Sequence, residues 1–186
     1  MKKMLFLVVA VLLSLFAQFA QACVGKTIFL GITAPANEKL MAEMASLLIS
    51  ERTGSSVKIQ TFKDSRELYE AVKQGKVNII VENTNHALEV LGRQKSAQPA
   101  SAFELVKSEY RKSMNMIWME PVGGAMPYAP VLTSETLAHY PALPKLLNKL
   151  SGVLTNDTYP RLLKTAGSDD KAKKVARDFL KSKKLI

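Results

Sequence analysis

The sequence predicts an α/β fold, in which a mostly parallel sheet is flanked by helices and followed by a helical C-terminus. Apolar strand segments alternate with amphipathic helix segments through the first half of the 186 residues. The connections between those strands are long enough to hold a helix, and crossovers of that kind join parallel strands. From Leu143 onward the apolar residues recur at helical spacing instead.

The first strand and helix have clear periodicities. Lys26–Ile32 places apolar side chains at every second position, which predicts a buried strand, and Thr33–Ala36 then turns the chain. One face of the following helix, from Asn37, collects Leu40, Met41, Met44, Leu47 and Leu48. Thr53-Gly54 is a typical C-terminal stop for that helix.

The next segment repeats the strand–helix–strand order. Val57–Phe62 is a predicted strand, and Asp64-Ser65-Arg66-Glu67 has the composition of a capping box at the start of a helix. Gly75 ends this helix, and Val77–Val81 is the third strand. Parallel strands joined by two crossover helices are therefore expected over 26–81.

The second half is predicted to add two strands and several helices. ENTNHALEVLG reads as a loop and a helix, and a longer helix covers about Ala102–Ser113. Met116–Met119 and Tyr128–Leu132 are strands on either side of a turn rich in Pro and Gly. The later predicted helices cover Leu143–Leu150, Asn156–Thr165 and a final segment capped by Ser168.

The N-terminus has the pattern of a secretory signal peptide at residues 1–22. A basic Met1-Lys2-Lys3 precedes the apolar run Met4–Ala20, and Ala20-Gln21-Ala22 matches a small-x-small cleavage site. A membrane anchor is the alternative, but the run is short for a bilayer span, which needs roughly 20 residues. We therefore expect an exported, periplasmic protein.

The sole cysteine, Cys23, directly follows this cleavage site. An intramolecular disulfide is therefore excluded, and the fold must be held by burial. Cys23 is also a candidate for lipidation, which would anchor the protein in the membrane. Gln21 departs from the usual lipoprotein pattern, so lipidation and plain cleavage both stay open.

The formal charge of +10 is concentrated near the C-terminus. The basic residues of the last sixteen positions are Lys171, Lys173, Lys174, Arg177, Lys181, Lys183 and Lys184. Such a cluster could bind nucleic acid or anionic lipid. Export argues against nucleic acid, and the regular apolar stripe between the charges favours a solvated helix face.

Several segments, taken in order, resemble one protein family. KTIFLGITAPANEKLMAEMASLLISERTG, FKDSRELYEAVKQGKVNIIVENTNHALEVLG and APVLTSETLAHYPALPKLLNKLSGVLTNDTYPRLL are similar to the glycine betaine/choline (osmoprotectant)-type substrate-binding proteins of ABC transporters. The resemblance implies a periplasmic-binding-protein type II-like fold and a role in transmembrane transport. It also implies two partners, a quaternary ammonium solute and an ABC permease.

The family's second lobe has no counterpart in this sequence. In the family, the strand resembling Met116–Met119 leads into a second α/β lobe, and the chain returns through the strand resembling Tyr128–Leu132. Here only the seven residues Pro121–Pro127 separate the two. We expect a single lobe, 26–186, in which 26–119 and 128–186 are joined by a short turn at 120–127. A homodimer would rebuild a two-walled cleft.

The resemblance also implies ligand-binding positions. They are Thr33, Asn37, Glu82, Asn83 and Thr84. The last three follow a parallel strand, at the sheet edge where α/β proteins bind ligands. Asn83 replaces the family's tyrosine, so no aromatic side chain stands where a quaternary ammonium would use one. A remnant loop capped by its own hydrogen bonds is the alternative.

Other function classes have weaker support. His86 and His139 are the only histidines and lack metal-site spacing, so no metal or cofactor is expected. No nucleophile-elbow pattern is present, and the proximity of Glu82 to His86 in sequence is weak evidence for an acid–base pair, so no enzyme is expected. Two functions remain: a solute-binding domain with weakened or altered ligand binding, and an interaction protein that docks on a membrane or protein partner.

Overall fold

The computed structural model describes residues 27–94, 98–123, 127–167 and 169–186. The predicted signal peptide, Cys23 and the Ser168 cap lie outside these residues. The strands are β1 (Ile28–Ile32), β2 (Val57–Thr61), β3 (Ile79–Asn83), β4 (Met116–Trp118) and β5 (Tyr128–Thr133). The helices are α1 (Ala36–Thr53), α2 (Ser65–Lys73), α3 (Thr84–Val90), α4 (Pro99–Ser113), α5 (Ser134–His139), α6 (Leu143–Leu147), α7 (Lys149–Val153), α8 (Thr158–Ala166) and α9 (Asp169–Ser182).

The five strands form one open sheet in the order β2-β1-β3-β5-β4. β1 is parallel to both β2 and β3, with Leu30 opposite Ile79. β5 is antiparallel to β3 and to β4, so four of the five strands point the same way. The predicted α/β class with a mostly parallel sheet and a helical C-terminus is confirmed.

One face of the sheet is covered by α1 and the C-terminal helices. Leu40, Met41, Met44 and Leu48 of α1 are fully buried against the strands, as their helical spacing predicted. Burying such a side chain stabilises the fold by about 1.5–3 kcal/mol. The helix ends at Gly54, whose left-handed backbone (φ 70°) lets its N–H bond to the carbonyl of Ser50.

The other face is covered by α2, α3 and α4. Leu68 of α2 is buried there together with Ile80, Val106, Tyr110 and Trp118. The ring of Tyr110 meets Trp118 edge-on, with centroids 5.4 Å apart. Side chains alternate along β3, so Ile80 and Glu82 face these helices whereas Ile79 and Val81 face α1.

Three local expectations need correction. The third strand begins at Ile79 rather than Val77, because the side chain of Asn78 accepts the N–H of Phe29 at 2.8 Å in place of a backbone carbonyl. The helix expected over 143–150 is two short helices, α6 and α7, with Asn148 between them. The short helix α5 was not delimited from the sequence.

β4 and β5, the strands on either side of the predicted turn, pair in antiparallel orientation. Val122 and Tyr128 exchange backbone hydrogen bonds of 2.8 and 2.7 Å, and Gly123 has a positive φ of 105°. Residues 124–126 lie outside the described structure. The pairing of β5 with β3 places strands from both sides of the turn in the same sheet.

Candidate functional site

The predicted ligand-binding residues come together at the carboxyl ends of β1 and β3. These strands are parallel neighbours, with Gly31 opposite Ile80. Two residues further along each strand, Thr33 and Glu82 therefore reach the same edge of the sheet. The other three are placed by the same elements: Asn37 in the first turn of α1, Asn83 as the last residue of β3 and Thr84 as the first of α3.

Glu38 belongs to this edge and was missed in the sequence. Its carboxylate accepts the N–H of Thr33 at 2.6 Å and the Thr33 hydroxyl at 3.0 Å. Burial raises the pKa of Glu38 more than these hydrogen bonds lower it, and Glu82 raises it further. An acidic residue in the first turn of a helix is common on dipole grounds, so its position alone did not indicate a site.

Glu82 is buried, with 3% of its surface exposed, and its carboxylate is held by three groups, one each from α2, β3 and α3. One oxygen, Oε2, accepts the hydroxyl of Tyr69 at 2.5 Å. The other, Oε1, accepts the N–H of Asn83 at 2.6 Å and lies 2.8 Å from Nδ1 of His86. Such a set of donors compensates the burial of a carboxylate. Most of its hydrogen-bonding capacity is therefore taken up by groups of the protein.

Two tyrosines and a serine extend this hydrogen-bonded cluster. The hydroxyls of Tyr69 and Tyr110 are 2.6 Å apart, and Nε2 of His86 is 3.0 Å from Oγ of Ser65. Burial, then the charge of Glu82, raises the pKa of both tyrosines, so they stay protonated donors at neutral pH. The hydrogen bond to Glu82 raises the pKa of His86 above 6.5 despite its partial burial.

Asn83 caps α3, as the remnant-loop interpretation requires. Its Oδ1 accepts the N–H groups of Asn85 and His86 at 2.9 and 3.3 Å, and its Nδ2 donates to the carbonyl of Pro127 at 3.2 Å. The loop is therefore held in place by its own hydrogen bonds. These hydrogen bonds do not exclude ligand binding, because the hydroxyl of the neighbouring Thr84 has no hydrogen-bond partner in the described structure.

Thr84 has a buried hydroxyl without a partner in the described structure. Thr84 as a whole is only 2% exposed, and its Oγ1 makes no hydrogen bond with the described residues. An unsatisfied buried polar group of this kind costs about 1–3 kcal/mol. A ligand group that reaches Oγ1 would recover part of that free energy.

Two tyrosines that lie outside the predicted ligand-binding loops reach this edge of the sheet. Tyr128 is the register partner of Asn83 and is nearly buried. Tyr159 of α8 donates its hydroxyl to the carbonyl of Asn37 at 2.5 Å. Burial raises the pKa of Tyr159, and Tyr128 and Glu38 are close enough to raise it further.

A groove of about 920 Å³ runs along α2 beside the Glu82 cluster. Ser65, Arg66 and Tyr69 line it on the α2 side, and Met114 and Ser134 line it on the opposite side. Nothing in the sequence indicated this groove, because it depends on how α2 packs relative to α4 and α5.

The described residues contain neither a metal-binding cluster nor a helix that could span a membrane. In that part of the chain no three His, Cys, Asp or Glu side chains are grouped to hold a metal ion. None of the helices described has the length and hydropathy needed to cross a bilayer.

Comparisons with known proteins place this geometry in a fold family. No protein-family model and no curated protein sequence matches the chain. Among solved structures, a glycine betaine/carnitine/choline ABC transporter chain aligns with a TM-score of 0.74 at 14% identity, covering 87% of this chain and 99% of that one. Apo YehZ from Escherichia coli aligns with a TM-score of 0.74 at 14% identity, covering 88% and 100%.

A more distant neighbour is a TRAP periplasmic solute-binding protein from Shewanella oneidensis with bound succinate. It aligns with a TM-score of 0.51 at 9% identity, covering 86% of this chain and 94% of that one. All three neighbours share the fold of this chain, at 9–14% sequence identity. At the level of the fold they confirm the resemblance drawn from the sequence: the chain has the fold of the periplasmic solute-binding proteins of ABC-type transport.

Proposed function

We propose that the protein is an exported solute-binding domain associated with ABC-type import of glycine betaine-like quaternary ammonium compounds. The observation that carries the proposal is the pair of carboxylates, Glu38 and Glu82, at the carboxyl edge of β1 and β3. The charge of Glu82 raises the pKa of Glu38. A site with two such carboxylates favours a cationic solute, with His86 offsetting part of the charge.

The chemistry of a betaine matches the remaining groups at the edge. A quaternary ammonium donates no N–H hydrogen bond, so it is held by negative charge and by aromatic faces. Tyr128, the register partner of Asn83 on β5, supplies an aromatic ring. The buried hydroxyl of Thr84 has no partner in the described structure and becomes a donor for the solute's carboxylate when binding uncovers it. Thr33 and Asn37 form the opposite rim of the site.

Affinity is expected to be low for a single lobe. Two-lobed binding proteins close around the solute, whereas one wall leaves it half solvated, and only the surplus over the cost of association appears as binding free energy. A homodimer that joined two such edges would restore the second wall. An ABC permease is the expected downstream partner.

Isothermal titration with glycine betaine, choline and carnitine tests this proposal, at protein concentrations that detect millimolar binding. We expect saturable heat that weakens in Glu38→Gln and, for betaine and carnitine only, in Thr84→Val. Glu104→Gln is the matched control, because Glu104 is an exposed carboxylate of α4 with a side chain 70% accessible. Absence of heat with all three solutes would refute the importer function.

The N-terminal expectations belong to the same proposal. Plain signal cleavage would remove residues 1–22, and a lipid-anchored form would carry acyl groups on Cys23. The intact mass of the protein recovered from the cell envelope distinguishes the two: plain cleavage leaves a polypeptide mass from Cys23 onward, whereas lipidation adds the mass of the acyl groups.

A second candidate is an interaction protein that docks on an anionic membrane. The lysines of α9 support it, because Lys171, Lys173, Lys174 and Lys181 are exposed while Ala176 and Leu180 are buried. Each such cation near an anionic surface contributes about 1 kcal/mol. Co-sedimentation with vesicles that contain anionic lipid, lost in Lys174→Glu/Lys181→Glu, would favour this function; no sedimentation would exclude it.

A further inference from the structure

We propose that Ser65 is an activated nucleophile that takes up an acyl group from a short ester held in the groove along α2. Its Oγ lies 3.0 Å from Nε2 of His86, and Nδ1 of the same ring lies 2.8 Å from Oε1 of Glu82. A serine, a histidine and a carboxylate linked in this order through opposite ring nitrogens are the arrangement that generates a serine nucleophile.

The surroundings of Glu82 fix the direction of these hydrogen bonds. The buried carboxylate already accepts from Tyr69 and from the N–H of Asn83, so it is an acceptor for His86 as well. Nδ1 of His86 then carries the ring hydrogen and donates a hydrogen bond to Glu82. Nε2 is left with its lone pair directed at the hydroxyl of Ser65, which is the tautomer a general base requires.

The position of Ser65 at the start of α2 supplies donors for a developing negative charge. Asp64 caps the helix by accepting the N–H of Glu67 at 2.9 Å. The N–H groups of Ser65 and Arg66 have no acceptor among the described residues, as expected in the first turn of a helix. Both can donate to an oxyanion formed beside Oγ.

The groove gives the nucleophile room for a substrate. The groove has a volume of about 920 Å³, and Ser65 and Arg66 line it. Its apolar lining residues are Val72, Val77, Val90 and Met114. Apolar side chains there suit the acyl chain of an ester. Ser65 is partly exposed, and 37% of the His86 side chain is accessible, so an ester can approach from solvent.

The reaction is an acyl transfer with balanced proton movement. Oγ of Ser65 bonds to the ester carbonyl carbon while its proton passes to Nε2 of His86. The carbon–oxygen bond to the alcohol then breaks, and the alcohol leaves with the proton from His86. The product is one acyl-Ser65 per chain. This is stoichiometric uptake, so it requires no catalytic turnover from a binding-protein fold.

Two reagents test the proposal on the purified chain. With p-nitrophenyl acetate we expect a burst of one p-nitrophenolate per chain, and with an alkyl fluorophosphonate one mass addition, both mapped to Ser65 by peptide mass spectrometry. Ser65→Ala should abolish both. His86→Gln, which removes the base, should slow the burst by about a hundredfold or more.

Ser151→Ala is the matched control for the serine. Ser151 is partly exposed like Ser65, but it is not among the residues that line the groove, and its hydroxyl donates to the carbonyl of Asn148 at 2.8 Å rather than to a histidine. Its loss should leave the burst unchanged. The wild-type burst rate should also rise with pH and level off once His86 is neutral, a profile that His86→Gln abolishes.

Labelling at any other residue, equal labelling of Ser65→Ala, or no labelling would each overturn the proposal. Folding of the variants is checked by circular dichroism, and Ser65→Ala is expected to fold because Asp64, not Ser65, caps the helix. Glu38→Gln and Thr84→Val, the variants that test solute binding, should leave this result unchanged, because neither residue takes part in the reaction.

Discussion

Replacing Gly31 by alanine should destabilise the protein through a steric conflict between β1 and α2. A Cβ built on Gly31 lies 2.4 Å from Cδ1 of Leu68, 3.1 Å from Cγ1 of Val77 and 3.2 Å from Cε2 of Phe62. Carbon atoms do not approach as closely as the first of these distances, so Leu68 or the strand must move. Leu68 is 2% exposed, so its alternative rotamers meet packed neighbours. Overpacking of this kind costs about 1–3 kcal/mol.

Urea unfolding of Gly31→Ala beside Gly152→Ala measures this cost. A Cβ on Gly152, in α7, meets nothing within 4 Å, and the alanine should stabilise by about 0.4–1 kcal/mol. The melting temperature of Gly31→Ala should fall by roughly 2–4 °C for each kcal/mol lost.

A double variant shows whether the Leu68 contact is the cause. Leu68→Ala alone should cost about 2–5 kcal/mol by opening a cavity. If the contact is responsible, Gly31→Ala/Leu68→Ala should be more stable than the sum of the single changes implies, because the new methyl group fills part of that cavity. Strict additivity, or a Gly31→Ala variant as stable as Gly152→Ala, would refute the reasoning.

Two further predictions concern the Glu82 cluster. The hydrogen bond to Glu82 raises the pKa of His86 in the folded protein above 6.5. His86 therefore contributes stability that is fully present below pH 6.5 and is lost as the pH rises through its folded pKa. Urea unfolding between about pH 6 and pH 8 should show this loss in the wild type but not in His86→Gln. Tyr110→Phe removes the hydroxyl that is 2.6 Å from that of Tyr69, and should lower the free energy of unfolding by about 0.5–1.5 kcal/mol; an unchanged midpoint would show that this hydrogen bond adds nothing net.

The strands and long helices were predictable because their signal is local. The alternation of Ile28, Leu30 and Ile32 and the apolar stripe of α1 are read within a few residues of each other, and both match the structure. The boundary of β3 was not predictable in this way. Asn78 takes the place of a strand residue through a side-chain bond to Phe29, 49 positions earlier, and that contact exists only once the sheet has formed.

The site was predictable only in part, for the same physical reason. Glu82 and His86 are four residues apart, so their pairing had a visible spacing, although spacing alone was weak evidence. Ser65 lay in a recognisable capping box, which accounts for Asp64 and Glu67 but not for the bond from Ser65 to a histidine 21 residues away. That bond depends on α2 packing beside α3.

The two proposals for the carboxyl edge share Glu82, but they can be separated through Glu38 and His86, which lie on opposite faces of the sheet. Glu38 belongs to α1 and holds the loop at Thr33, whereas Glu82 faces α2 and holds His86. Glu38→Gln should therefore weaken solute binding and leave acylation intact, and His86→Gln should stop acylation. His86→Gln also removes a positive charge near Glu38, so it should strengthen rather than weaken the binding of a cationic solute. If His86→Gln instead lost solute binding and acylation together while remaining folded, the two activities would be one site, and the assignment of separate roles to Glu38 and His86 would be wrong.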